Sequence, residues 1–133
     1  MYGPDEAQAI FFVAIGSVLQ YSRADYVLKK EEKLQDAQVI QLESILTELQ
    51  PGKPVQYIIG ETFFYGLPFK VSPSVLIPRP ETEELVEWVI ESSALATATG
   101  SVLRITDIGT GSGCIAVSLK KNMPLAEVSA LDI

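Results

Sequence analysis

The stretch that most constrains this chain is Val102 to Gly113, V-L-R-I-T-D-I-G-T-G-S-G, an aliphatic run ending in an acid and a turn with three alternating glycines. Val102, Leu103, Ile105 and Ile108 have the near-continuous aliphatic character of a strand buried on both faces of a parallel sheet. Asp107 falls near that strand's carboxyl end, the edge at which open α/β sheets bind ligands. Gly109, Gly111 and Gly113 allow positive φ and close backbone approach where a side chain would collide with a ligand. These residues describe a loop that cradles a nucleotide-type cofactor.

The spacing of the glycines separates cofactor classes. Dinucleotide-binding turns read G-x-G-x-x-G, whereas here Cys114 stands in the place of the third glycine, which disfavours redox nucleotides. A phosphate loop is excluded because no Gly-Lys-Ser or Gly-Lys-Thr follows, and Lys120 lies well inside the next helix pattern. Ile115, Ala116, Leu119 and Met123 mark the apolar face of that helix. Lys120 and Lys121 suit its carboxyl end, and Pro124 stops it. A second strand, Ala126 to Leu131, then ends in Asp132. A doubly wound fold places an acid about 20 residues beyond the turn to accept hydrogen bonds from a ribose diol. Asp132 alone reads equally well as a solvated loop residue, and only its partnership with the glycines promotes it.

Composition narrows the function classes. In 133 residues, 47% are hydrophobic, which is ample for a folded core. The longest apolar segment, Ala9 to Leu19, is interrupted by Gly16 and Ser17 and has about half the length that crosses a bilayer, so it reads as a buried helix. No basic leader or secretory cleavage site precedes it, and a lone Cys114 forms no internal disulfide, so a reducing cytoplasm is expected. A net charge of -7 argues against bare nucleic acid and fits a protein partner better. With no histidine and one cysteine, a zinc site is not expected, and a Ser-His or Cys-His pair is impossible within these residues.

Along the chain, Asp5 and Glu6 complement a helix amino terminus, and Ser22 with Asp25 has the spacing of a capping box opening a second helix. Val39, Leu42, Leu46 and Leu49, widened by Ile45, predict a third helix that Pro51 and Gly52 end. Beyond Pro54, the residues Tyr57 to Ile59, then Thr62 to Tyr65, a Gly66-Leu67-Pro68 turn, and Phe69 to Val71 read as a hairpin. Pro73, Pro78 and Pro80 stiffen an extended linker. Glu81 to Glu84 open a helix carrying Leu85, Val86, Val89 and Ile90, and Ser92 to Gly100 read as a small-residue loop.

Three ordered motifs, P-V-Q-Y-I-I-G-E-T-F-F-Y-G-L-P-F at Pro54 to Phe69, V-L-I-P-R-P-E-T-E-E-L-V at Val75 to Val86, and D-I-G-T-G-S-G at Asp107 to Gly113, give the chain a family likeness. Together they resemble the protein-glutamine N5-methyltransferases that modify peptide chain release factors (PrmC/HemK). The likeness runs from about Glu6 to Ile133. It implies an α/β, multi-domain chain: a helical substrate-recognition bundle over 1–53, a β-hairpin and linker over 54–79, and over 80–133 the truncated start of a class I, Rossmann-like methyltransferase domain. It implies S-adenosyl-L-methionine as cofactor, approached by the backbone of Gly109, Thr110, Gly111, Ser112 and Gly113. Asp132 would accept from its ribose hydroxyls, and Asp107 would support the pocket from below.

The partner implied is a peptide chain release factor, methylated on the glutamine amide of its Gly-Gly-Gln loop, with the bundle offering a docking face. The family's N-P-P-Y motif, which grips that amide, has no counterpart here. The only asparagine is Asn122, so no catalytic residue is assigned and the sequence reads as an inactive amino-terminal fragment. Arg79 reads either as an ion-pair partner or as a residue closing the cofactor pocket. The same cofactor turn leaves open a ribosomal-protein glutamine methyltransferase or an adenine-N6 methyltransferase, and, from another class, a non-catalytic protein-interaction module.

Overall fold

A computed structural model describes residues 2–98 and 102–133, which divide into two compact units, 1–59 and 60–133. The first unit contains α1 (Pro4–Leu19), α2 (Arg23–Lys29), α3 (Asp36–Leu49) and α4 (Val55–Ile59). Pro4 sits at the first helical position of α1, and Asp5 and Glu6 lie against the positive end of its dipole. The helix closes at Gln20, which adopts φ 58° and donates its N–H to the Gly16 carbonyl. Helices α1, α3 and α4 pack around Ala14, Ile45, Leu49 and Val55, with Ile10, Val18, Leu42, Ile58 and Ile59 at the margins.

The capping box at Ser22 is present: the Ser22 hydroxyl accepts the Asp25 N–H at 3.1 Å, and the Ser22 N–H donates to the Asp25 carboxylate at 3.0 Å. Helix α2 buries no residue of its own. It is held to α1 by edge-to-face contacts of Tyr26 with Phe11 and Phe12, at 5.2 and 5.7 Å between ring centroids. Arg23 lies over the Phe12 ring at 4.9 Å.

Two readings change in this unit. The buried seam of α3 runs through Leu42, Ile45 and Leu49, while Leu46 is 61% exposed. One residue beyond Ile45 is a 100° rotation, which carries Leu46 off the core face. Tyr57 to Ile59 form α4 rather than a strand. The Pro54 carbonyl accepts the Tyr57 and Ile58 N–H groups, and a single turn lets Val55, Ile58 and Ile59 reach the helical core together. Burial thus overrides the β preference of the isoleucines.

The second unit opens with a hairpin, β1 (Glu61–Phe64) antiparallel to β2 (Leu67–Lys70), in the register Glu61↔Lys70 to Phe64↔Leu67. Its turn is Tyr65-Gly66, at φ 49° and 71°, so Leu67 and Pro68 belong to β2 rather than to the turn. Two left-handed residues match the twist of the flanking strands, and an edge strand tolerates Pro68 because it needs no N–H there. Phe64 and Phe69 lie on one face of the hairpin, 6.3 Å apart edge to face. They join Val86, Cys114 and Leu119 in the core of the second unit.

Helix α5 (Pro80–Ala98) follows, its first turn closed by the Thr82 N–H on the Arg79 carbonyl. Val86 is fully buried, whereas Leu85 and Trp88 face outward. The helix runs through the segment expected to be a loop, at least to Ala98, with residues 99 and 100 outside the described range. Alanine-rich sequence without glycine or proline favours helix continuation, and the Ser93 hydroxyl is satisfied by the Val89 carbonyl at 2.6 Å.

Strand β3 (Arg104–Ile108), helix α6 (Cys114–Asn122) and strand β4 (Glu127–Leu131) complete the unit, with β3 and β4 parallel in the register Arg104↔Glu127 to Ile108↔Leu131. The two-sided burial expected of β3 is not observed. Ile105 packs against the core, but Ile108 is 80% exposed, because a two-stranded sheet with helices on one side leaves the other face open. Lys120 donates to the Pro124 and Ala126 carbonyls and fixes the return from α6 to β4.

Ser118 on α6 is fully buried, and its hydroxyl has no hydrogen-bond partner among the described residues. Ser118→Ala removes that desolvated group and is expected to raise stability by about 1 kcal/mol in urea unfolding. At Asp25, hydrogen bonds from Ser22 hold the carboxyl below its usual range. Because ionisation is favoured in the folded state, the cap contributes fully above the ordinary carboxylate range and is lost as pH falls through the lowered value. In an acid titration followed by NMR, the Ser22 and Asp25 amides are expected to move together in that window.

Candidate functional site

The candidate site forms where β3 and β4 end side by side. The Leu131 carbonyl, at the end of β4, accepts the N–H of Gly109 at 2.8 Å and of Thr110 at 3.1 Å, so the turn leaving β3 is anchored to its neighbour strand. The turn then folds on itself through the Gly113 N–H on the Thr110 carbonyl at 2.9 Å. Gly109, Gly111 and Gly113 all have positive φ, at 76°, 55° and 76°. A side chain at Gly109 or Gly111 would meet nothing within 4 Å, so the backbone there faces open space. From Gly113 the chain enters α6, whose first amides have no partner inside the helix and face the turn.

Two carboxylates flank this backbone. The half-buried Asp107 accepts the Thr110 hydroxyl at 2.7 Å, which ties the turn to the strand beneath it. Asp132 accepts the Gly111 N–H on one carboxylate oxygen at 2.6 Å and the Ile133 N–H on the other at 2.9 Å. An ionised carboxylate has about four acceptor positions. Asp132 is exposed, and two of its positions stay open to hydroxyl donors. The sequence placed Asp132 at the end of the second strand, but its direct bond to the middle glycine is a product of the fold.

Among the described residues no basic side chain is hydrogen-bonded to the turn. Arg104 pairs with Glu127 at 2.9 Å, and Lys120 is engaged at the far end of α6. Arg79 is exposed and forms no ion pair among the described residues, its carbonyl serving as the cap of α5. Cys114 is a free, buried thiol in the core below the turn. Among the described residues no group of three or more His, Cys, Asp or Glu side chains could hold a metal ion. One long-range contact escaped the sequence altogether: the Glu83 carboxylate accepts the Tyr65 N–H at 2.7 Å, across 18 residues, and nothing in the P-E-T-E spacing signals it.

These features define a two-unit α/β protein in which a helical module precedes a hairpin and a parallel β-α-β element bearing a glycine turn. Residues 3–60 match the family model of the PrmC N-terminal domain. Over all 133 residues the chain is 48% identical to a release factor glutamine methyltransferase of Flavobacterium psychrophilum and 42% identical to that of Bacteroides thetaiotaomicron. Over 130 residues it is 42% identical to that of Streptococcus pneumoniae. The chain spans 46%, 46% and 44% of the lengths of these relatives. Over its whole length the chain is thus similar to the amino-terminal part of release factor glutamine methyltransferases, with the PrmC N-terminal domain at its start.

Gly111→Ala is expected to destabilise the second unit by about 1 kcal/mol through backbone conformation alone, since its Cβ would meet open space. Asn at the same position tolerates a left-handed backbone and should recover part of the loss in the same urea unfolding series.

Proposed function

We propose that these residues supply the substrate-recognition bundle and half of the donor site of an enzyme that methylates the glutamine side-chain amide in the Gly-Gly-Gln loop of peptide chain release factors. The observation that carries this reading is the meeting of Asp132 with the glycine turn at the carboxyl edge of the parallel pair, in a chain with this similarity. Release factor is the protein substrate, no nucleic acid is bound directly, and the enzyme works in the cytoplasm. No described helix is long and apolar enough to cross a membrane.

The residues present suit S-adenosyl-L-methionine. Open space over Gly109 and Gly111 admits a ligand against the main chain, and the remaining lone pairs of Asp132 suit ribose hydroxyls. Gly109, Thr110, Gly111, Ser112 and Gly113 line the approach, while Asp107 keeps the turn in place through Thr110. The two carboxylates at the turn, Asp107 and Asp132, suit a cationic ligand better than a polyphosphate. When bound, S-adenosyl-L-methionine would supply a methyl carbon activated by its positively charged sulfur for transfer to the glutamine amide nitrogen, with S-adenosylhomocysteine and a proton as the other products. This chemistry needs alignment and hydrogen bonds to the amide rather than a metal or a covalent enzyme intermediate.

The 133 residues by themselves are expected to transfer no labelled methyl group to release factor, because they hold no group that grips the amide. Fusion to the remaining carboxyl-terminal part of the Flavobacterium relative should restore transfer. In that fusion Asp132→Ala should weaken donor binding by about tenfold to a hundredfold in calorimetry. Turnover by the 133 residues alone, or a fusion that shows no thermal shift with S-adenosylmethionine, would overturn the reading. Binding of release factor without any donor dependence would favour a pure interaction module.

A further inference from the structure

Among the described residues of the second unit, Tyr65 in the hairpin turn is the one non-glycine residue with a left-handed backbone, at φ 49°. An L-residue pays about 1 kcal/mol for that conformation. The Tyr65 N–H is not left to solvent. Glu83, in the first turn of α5, accepts it at 2.7 Å, a charge-assisted bond in a partly buried setting. At the base of the hairpin the Val71 N–H donates to the Gly60 carbonyl at 2.9 Å. The hairpin is therefore held at both ends, and its tip is held by one carboxylate.

What the hairpin carries makes this tether consequential. Phe64, next to the turn, is 1% exposed and lies in one cluster with Phe69, Val86, Cys114 and Leu119. Cys114 is the first residue of α6 and directly follows Gly113, the last glycine of the candidate site. A close-packed interior transmits a shift at one wall to the others, because it has little free volume to absorb it. We propose that Glu83 is a positioning residue for the glycine turn. Its carboxylate fixes the hairpin tip, the hairpin fixes the phenylalanine wall, and that wall seats Cys114 and the start of α6 under Gly113. The assignment of a donor to the turn rests on the proposed function, whereas the mechanical link does not.

The test compares Glu83→Ala, Glu83→Gln and the unaltered chain by amide hydrogen exchange and ¹H–¹⁵N spectra. Loss of the acceptor in Glu83→Ala should speed exchange roughly tenfold at Gly113, whose N–H bonds the Thr110 carbonyl, and at Val117, whose N–H bonds the Gly113 carbonyl. It should leave the Glu127 N–H on the Leu103 carbonyl within about twofold. Glu83→Gln keeps an acceptor oxygen and should restore most of the protection. Should Glu83→Ala fail to fold, Glu83→Asp, one methylene shorter, provides the same comparison. Unchanged exchange around Gly113, equal effects of Ala and Gln, or a uniform rise at all sites would overturn the proposal. In a second arm, the fusion carrying Glu83→Ala should bind S-adenosylhomocysteine several-fold more weakly than the fusion with Glu83→Gln. A parent fusion that binds none would count against the donor assignment, while the exchange data would still decide the tether.

Discussion

A single carbonyl, that of Leu131, ties the glycine turn to the carboxyl edge of the parallel pair in the second unit. It accepts two successive amides from the turn that leaves β3, so the ends of two parallel strands and the entry to α6 are fixed at one point. Parallel strands require a crossover between them, and here the crossover is α6 itself. Everything proposed for the site, from the open backbone at Gly109 and Gly111 to the approach of Asp132, depends on this junction.

Carboxylates do much of the tying, in a chain with a net charge of -7. Asp25 caps α2, Asp107 holds Thr110, Glu83 holds the hairpin tip, and Asp132 holds Gly111. Three of these four accept from a backbone N–H, which satisfies a main-chain donor that regular structure leaves unpaired. The acids are placed by turns and helix starts, where free amides occur, and so a negative sequence is compatible with a well-determined backbone.

Much of this was legible from local pattern. The helix starts marked by Asp5 with Glu6 and by Ser22 with Asp25, the glycine turn, the helix after it and the acid ending the last strand are all short-range features, with a propensity, a cap or a stop within a few residues. The misreadings share one cause. Tyr57 to Ile59 form a helical turn, Leu46 points outward, and the segment to Ala98 stays helical, each because packing or continuity decides between local options of similar energy. The bond from Glu83 to Tyr65 was invisible because 18 residues separate its partners, and no periodicity encodes a single contact across a turn.

The sequence by itself determined which segments are helix, turn and strand end wherever glycine, proline and capping residues leave the backbone few alternatives, and its motifs carry the likeness to release factor glutamine methyltransferases. Only the tertiary structure decided that Asp132 meets Gly111 and that Phe64 and Phe69 wall the core beside Cys114. The physical reason is range: backbone preferences act within a turn, whereas hydrogen-bond geometry and burial depend on which distant surfaces the folded chain brings into contact.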